Sequence, residues 1–205
     1  MPEFAQALRE EEIDADPFRQ FADWFAQAAA AGIRAPEAAA LATSTPDGVP
    51  SVRMVLVKAT DSRGFAFYSN YASRKGAELA ANPRAALLFH WDQLGRQVRI
   101  EGRVERMESA ESAAYVRDRP RASQLSALAS PQSAVIESRQ QLEDWVRELA
   151  AQYEAVELPL PTSWGGFRLV PETFEFWQHR EDRLHDRLRY TRTAAGRWLL
   201  ERLAP

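Results

Sequence analysis

Residues 38–70 read AAALATSTPDGVPSVRMVLVKATDSRGFAFYSN, and this stretch decides the fold. Ala38–Ser44 runs into Thr45-Pro46-Asp47-Gly48, a strong turn sequence because proline presets φ and glycine tolerates a positive one. Ser51–Ala59, rich in Val, Met and Leu, is a strand. Asp61-Ser62-Arg63-Gly64 turns the chain again, and Phe65–Ser69 returns. Three strands joined by tight turns form an antiparallel meander.

The same reading extends outward in both directions. Upstream, Asp16-Pro17 is an N-cap followed by proline at the first helical position, and Phe18, Phe21, Phe25 and Ala28 keep helical spacing until Gly32. Residues 1–15 look like a mobile acidic arm, leaving 16–205 as one domain. Downstream, Ser73–Ala81 is a short helix closed by Asn82-Pro83, Ala85–Trp91 a buried strand and Arg96–Met107 a long one. In that last strand Val98, Ile100 and Val104 alternate with polar residues. Ser109–Arg117 is helical, 118–133 is small, polar and Pro-punctuated with room for a short helix, and Val135–Tyr153 is a helix. Gly166–Val170, Thr173–Gln178, Leu184–Arg192 and Arg197–Leu203 make a second antiparallel set. The fold class is therefore mainly β with flanking helices: an antiparallel barrel with helices packed around it. There is no repeat, no βαβ order and no GxGxxG.

Composition narrows the function. The chain has 205 residues, 26 Lys+Arg against 29 Asp+Glu, three His and no Cys, with a net charge of -3. A globally basic nucleic-acid binder is excluded by that balance. Without cysteine there is no disulfide framework, thiol nucleophile or Cys-based metal site, and scarce histidine argues against a protein-built transition-metal site. No apolar run approaches the ~20 residues of a membrane span, and the acidic N-terminus lacks signal-peptide order. The expectation is a cytoplasmic protein with no membrane partner.

Four basic clusters could carry chemistry. Ser73-Arg74-Lys75-Gly76 opens a helix with two cations in its first turn, where the dipole favours negative charge; an anion docked there explains the arrangement, and so does a pair of solvated surface cations. Arg53–Lys58 is a strand with a cation at each end. Period 2 puts Arg53, Val55 and Val57 on one face and Met54, Leu56 and Lys58 on the other, so Lys58 is either partnered on an apolar face or at the strand's wet end. Arg117–Ser123 gathers three arginines and a hydroxyl, which suits phosphate or an ordinary charged loop. Read as a strand, Arg183, His185 and Arg187 share one face, a row that needs a counter-anion unless it is simply solvated. His90, between Phe89 and Trp91, reads as a core or rim histidine, and His179 has no evident role. Only Lys58 and Lys75 are lysine among the 26 basic residues. An acidic protein with local basic clusters points to a small anionic ligand, and with no strong nucleophile its chemistry would be borrowed from a cofactor.

The segments RMVLVK (53–58), Tyr68-Ser69 with SRK (73–75), RQVRIEG (96–102), RPRASQ (119–124 from Arg119), WGGFR (164–168), FEFWQ (174–178), RLHDR (183–187) and RLAP (202–205) together resemble the pyridoxamine 5'-phosphate oxidase family, in order from Asp16 to Pro205. The resemblance implies an FMN-binding split β-barrel, Greek-key-like, acting as a homodimer with flavin at the subunit interface. It implies oxidation of pyridoxamine 5'-phosphate and pyridoxine 5'-phosphate to pyridoxal 5'-phosphate, with O2 as acceptor and H2O2 as product, by hydride transfer to the flavin. Carried over by position, Arg53, Met54, Val55, Leu56, Val57 and Lys58 line the flavin. Tyr68 and Ser69 contact it, and Arg74 and Lys75 bind its phosphate. Gln97, Gln132, Ser133, Trp177 and Arg187 also contact FMN, with Gln132 and Ser133 placed across the interface from Arg74 and Lys75. Lys58, Tyr115, Arg119 and Ser123 surround the substrate phosphate, while Arg183, Leu184 and His185 sit at the substrate ring, Arg183 and His185 as the catalytic pair. No metal is implied.

This chain departs from the family pattern twice. His179 stands where the family usually has glycine, and the N-terminal arm lacks the family's Arg-x-x-Tyr element, having no tyrosine. Three rival readings share parts of the pattern: a related flavin oxidase acting on a phenazine precursor, a flavin- or B6-phosphate-binding protein without turnover, and an RNA-binding barrel. The last lacks a basic surface and an aromatic stacking motif.

Overall fold

The hairpin turn closes as its sequence dictates, with Gly48 N–H donating to the Thr45 carbonyl at 3.0 Å and Val49 N–H to Thr45 Oγ1 at 3.0 Å. The structure is a computed structural model and describes residues 7–154 and 156–205. The turn joins β1 (Ala38–Ser44) to β2 (Pro50–Asp61), and a second tight turn leads into β3 (Gly64–Asn70). Helix α2 (Arg74–Ala81) carries the chain back so that β4 (Arg84–Trp91) pairs with β1 rather than β3. The spatial order β4-β1-β2-β3 is a Greek key.

The hairpin partner of β4 is β5 (Arg96–Arg106), which pairs along its length with β6 (Trp164–Gln178). The first half of β6 also pairs with β3, from Phe65↔Leu169 to Asn70↔Trp164, and this closes a six-stranded antiparallel barrel. Its second half pairs instead with β7 (Asp186–Arg192), which carries β8 (Trp198–Arg202). The exchange happens at Pro171, which has no N–H to give a ladder. There the register shifts between Glu101 and Gly102, and a Cβ on Gly102 would lie 2.0 Å from the Val170 carbonyl oxygen. The sequence predicts two strands broken at Pro171; the ladder to β5 runs on past the bulge.

Aromatic side chains fill the barrel. Phe65, Phe67, Phe89, Phe174 and Phe176 are fully buried, and helix α1 (Pro17–Ala30) covers them with Phe21, Trp24 and Ala28. Phe21 lies edge-on to both Phe65 and Phe89 with centroids 4.9 Å apart. Asp16 caps the helix through Phe18 N–H at 3.0 Å. Three more helices follow β5: α3 (Ser109–Asp118), α4 (Arg121–Ala129) and α5 (Arg139–Gln152). The last starts four residues after the predicted Val135, because the Ser138 side chain accepts from Gln141 N–H and sets the helix start there.

Other expectations change in the same way. Strand β4 buries only alternate residues: Leu87, Phe89 and Trp91 point inward, and His90 is exposed, not a core residue. Residues 1–6 of the expected mobile arm lie outside the described residues. The rest of it is tied to the barrel: Leu8 N–H donates to Asp186 at 3.1 Å, the Tyr190 hydroxyl to the Asp14 carbonyl, and Arg202 pairs with Glu10 at 2.6 Å. Among the described residues no helix is long and apolar enough to cross a membrane.

Candidate active site

Three groups of side chains gather most of the polar residues singled out in the sequence. The first is built by the end of β3 and the start of α2. Ser73 caps α2, and its hydroxyl also donates to the Asn70 carbonyl at 2.7 Å, which pins the helix start against the strand. A Cβ at Gly76 would fall 2.2 Å from the Tyr71 carbonyl oxygen, so only glycine lets the helix come this close. Lys75 is thereby carried inward, 8% exposed, and donates to Ser69 Oγ at 2.9 Å, Ser73 Oγ at 3.2 Å and Gln132 Oε1 at 3.2 Å. All three acceptors are neutral. Burial, and then repulsion from Arg53, pushes the Lys75 ammonium below its ordinary pKa. Two further cations, Arg53 and Arg74, reach the same place and share the buried carboxylate of Glu78.

Gln132 belongs to this group within one chain. Its Oε1 also accepts from Ser69 Oγ at 2.9 Å. This corrects the expectation that Gln132 lies across a subunit interface from Lys75: the turn after α4 returns it to its own β3. The next residue, Ser133, has φ of +73°. Non-glycine residues adopt that conformation at a cost of order 1 kcal/mol, which persists only where the surroundings hold it.

The second group is an aromatic stack on the outer face of β3. Tyr68 lies parallel to Tyr115 with centroids 3.6 Å apart, and Trp164 stacks alongside at 5.9 Å from Tyr68. Helix α3 delivers Tyr115. It is fixed to the barrel by Ser112 Oγ, which accepts from Gly166 N–H at 3.0 Å, and by Glu111, which pairs with buried Arg168 at 3.6 Å. Burial, with the Tyr115 and Glu111 neighbours adding to it, raises the Tyr68 pKa. Arg119 lays its guanidinium 4.7 Å over the Trp164 ring. Its backbone carbonyl accepts from Gln124 at 2.7 Å, yet its buried Nη1 has no protein partner. Ser123 follows one turn into α4, its N–H donating to the Pro120 carbonyl at 2.8 Å.

The third group lies on the outer face of β5, β6 and β7, where Gln97, Trp177 and Arg187 are cross-strand neighbours. Arg187 is held by Glu175 at 2.8 Å and the Ala204 carbonyl at 2.8 Å, and the carboxylate raises its pKa. The His185 ring packs 4.6 Å from Trp177 and 5.1 Å from His179. His185 Nδ1 accepts from Arg180 N–H at 3.0 Å, so a neutral His185 carries its proton on Nε2. The expectation that Arg183, His185 and Arg187 share a strand face does not hold. Strand β7 begins only at Asp186, and Arg183 sits in a turn with φ of +63°. Leu184 is exposed. Among the described residues, Ser133 and Arg183 are the two non-glycine positions with positive φ, and the resemblance implies a ligand contact for each.

The run 53–58 divides between groups. Val57 is buried in the core and Val55 packs against it, while Met54 and Leu56 are exposed on the opposite face. Lys58 pairs with Glu37 at 3.4 Å and is bonded to none of Tyr115, Arg119 or Ser123 in the single chain. Sequence reasoning missed Glu78, although Arg74 and Glu78 stand at i,i+4 spacing, and missed Glu175, whose partners are brought by other strands.

The class of protein that these features define is a split β-barrel with a cluster of cations at a helix start and a further cation held on an aromatic stack. Family comparison agrees: residues 25–156 match the pyridoxamine 5'-phosphate oxidase model, and residues 164–205 match the pyridoxine 5'-phosphate oxidase C-terminal dimerisation region. A pyridoxine/pyridoxamine 5'-phosphate oxidase of Trichormus variabilis is 54% identical over 98% of this chain and 94% of its own. Among solved structures, PhzG from Burkholderia lata in complex with tetrahydrophenazine-1-carboxylic acid superposes with a TM-score of 0.90 at 35% identity, covering 100% of this chain and 97% of that one. A pyridoxamine 5'-phosphate oxidase-related, FMN-binding protein of Nostoc punctiforme shares the fold at a TM-score of 0.74 and 16% identity, over 93% of this chain and 98% of its own. The chain belongs to the pyridoxamine 5'-phosphate oxidase family of oxidoreductases.

Proposed function

We propose that this protein is a homodimeric, FMN-dependent oxidase that converts pyridoxamine 5'-phosphate and pyridoxine 5'-phosphate to pyridoxal 5'-phosphate, with O2 as the final acceptor and H2O2 as the second product. The observation that carries the reading is the presence of two separate anion-ready cations. Lys75 is buried against neutral oxygens only, and Arg119 has a buried donor without a protein acceptor. A phosphorylated cofactor and a phosphorylated substrate need two such places. Buried charges are costly unless paired, so each place is completed by an anion.

The donor set of the first group fits the phosphate of FMN, with Arg53, Arg74 and Lys75 as cations and Ser69 and Gln132 beside them. The second group fits the substrate phosphate, held by Arg119, Tyr115 and Ser123, with Lys58 closing the site from β2. When bound, FMN supplies a two-electron acceptor for the hydride leaving substrate C4'. Orientation is the chain's own contribution. His185, with Nδ1 already accepting a backbone hydrogen bond, presents Nε2–H and therefore donates to the substrate rather than removing its proton.

A second copy of the chain joins the groups that one copy leaves apart. Val52, Met54, Leu56 and Leu88 form an exposed apolar patch on the barrel's outer face. Met54, Ala40, Leu88, Arg99 and Glu175 are successive cross-strand neighbours, so that patch is continuous with the face carrying Trp177 and Arg187. The matched dimerisation region covers the same C-terminal strands.

The PhzG likeness favours one other reading, a related oxidase acting on a phenazine precursor. Oxygen consumption and peroxide release, measured with pyridoxamine 5'-phosphate and with unphosphorylated pyridoxamine on FMN-loaded protein, separate the two. The proposal requires strong preference for the phosphate ester; equal turnover of both, or none, overturns it.

A further inference from the structure

We infer that Glu78 is a positioning residue of the anion cradle, holding Arg53 and Arg74 in place and setting the cradle's net charge to suit a phosphate monoester. The inference rests on the reading of the first group as the site of the FMN phosphate.

Glu78 is 5% exposed, on the inner face of α2. Its two oxygens divide the work. Oε1 accepts from Arg74 Nε at 2.9 Å, one helical turn back. Oε2 accepts from the hydroxyls of Thr43 and Ser51, and Arg53 Nη2 lies 3.3 Å away. Arg53 in turn donates to the same two hydroxyls. One carboxylate therefore ties cations from β2 and α2 through hydroxyls from β1 and β2. Burial alone would raise its pKa, but four donors converge on it and together hold its carboxyl down at about 2, so it is ionised near neutral pH.

A buried carboxylate beside a phosphate site looks unfavourable, since it repels the ligand. The charge balance gives it a reason. Arg53, Arg74 and Lys75 bring three positive charges and Glu78 removes one, leaving two. A phosphate monoester near neutral pH carries about -1.5 to -2. Long side chains also lose conformational freedom when they bind, and Arg74 is otherwise solvent-exposed; a carboxylate that fixes it beforehand removes that cost from ligand binding.

The two effects of Glu78 oppose each other, which makes the idea testable. If only its charge matters, removing it tightens FMN binding. If it positions the arginines, removing it weakens FMN binding and leaves the phosphate-free flavin alone. The full chain, freed of flavin, is titrated with FMN and with riboflavin by flavin fluorescence for wild type, E78Q, E78A and Arg74→Ala. Both Glu78 variants are expected to weaken FMN roughly tenfold, as loss of charge-assisted geometry does, with riboflavin within about twofold. The double variant R74A/E78Q should lose less than the sum of its single losses, because Glu78 acts through Arg74. FMN bound as tightly or more tightly by E78Q overturns the proposal, as do additive losses or parallel loss of both flavins. If E78A does not fold, E78Q and the Arg74 cycle still decide. Wild-type protein with no preference for FMN over riboflavin is a distinct result: it removes the phosphate site itself, and the role of Glu78 with it.

Discussion

Replacing Arg119 with methionine separates ligand recognition from folding. Its Nη1 is buried with no protein acceptor, and its guanidinium rests 4.7 Å over Trp164. In the ligand-free protein these two features oppose each other. A buried unsatisfied donor costs about 1–3 kcal/mol, while a cation–π contact of this kind returns about 0.5–2 kcal/mol. Methionine keeps an apolar, polarisable contact with the indole and removes the orphaned donor. The ligand-free stability of R119M should therefore lie within about 1 kcal/mol of wild type, a Tm change of roughly 2–4 °C at most for a chain of this size. Ligand binding has no such compensation. A charge-assisted hydrogen bond to phosphate contributes about 1.5–3 kcal/mol, or a factor of roughly 10–150 in kcat/KM for pyridoxamine 5'-phosphate. Unphosphorylated pyridoxamine should show almost none of that loss. The assays are thermal unfolding of the ligand-free variant and steady-state oxygen uptake with both amines. If R119M lost more than about 8 °C in Tm while keeping its preference for the phosphate ester, the guanidinium would be a structural strut and the second anion site would not exist.

Lys75→Met removes a buried cation whose bonded partners are all neutral, so the flavin-free protein should gain stability and the FMN-induced rise in Tm should vanish. Folding holds the Lys75 pKa below its ordinary 10.5, so the folded state binds fewer protons there; flavin-free wild type should gain stability as pH rises toward 10.5, and K75M should lack that slope in thermal unfolding at matched pH. Met54→Lys places a charge in the middle of the exposed apolar patch. Sedimentation should show the dimer weakened toward monomer, with loss of bound flavin by mass action even though Met54 lies on the outer face and outside the anion cradle; a stable M54K dimer with full flavin content would move the interface elsewhere.

Local chemistry made the fold legible. Turns at Thr45–Gly48 and Asp61–Gly64, and the period-2 alternation of Arg96–Met107, depend on neighbours in sequence, and β1, β2, β3 and β5 stand within a residue or two of where those signals put them. What depends on distant partners was harder to read. Pro171 looks like a strand end because it cannot donate, yet the ladder to β5 continues past it through the bulge at Gly102. The site divides along the same line. The cap and the two cations at Ser73-Arg74-Lys75 are legible because a capping hydroxyl and charges at a helix start are local facts. That Lys75 points inward depends on Gly76 meeting the Tyr71 carbonyl, and that Arg53 joins it depends on the β1–β2 register.

The basic row 183–187 shows how local periodicity misleads. Alternation put Arg183, His185 and Arg187 on one face, but Arg183 takes a left-handed turn conformation and His185 spends Nδ1 on the backbone of Arg180. The turn aims His185 at Trp177 and leaves Arg183 and Leu184 projecting from the barrel. A strand would have locked those side chains to the pitch of the sheet. A strained turn lets them project beyond it into the space outside the barrel. Arg183 and Ser133 are thus the two described non-glycine positions where the chain takes on the cost of a left-handed residue, and in neither does the pattern of neighbours in sequence announce it.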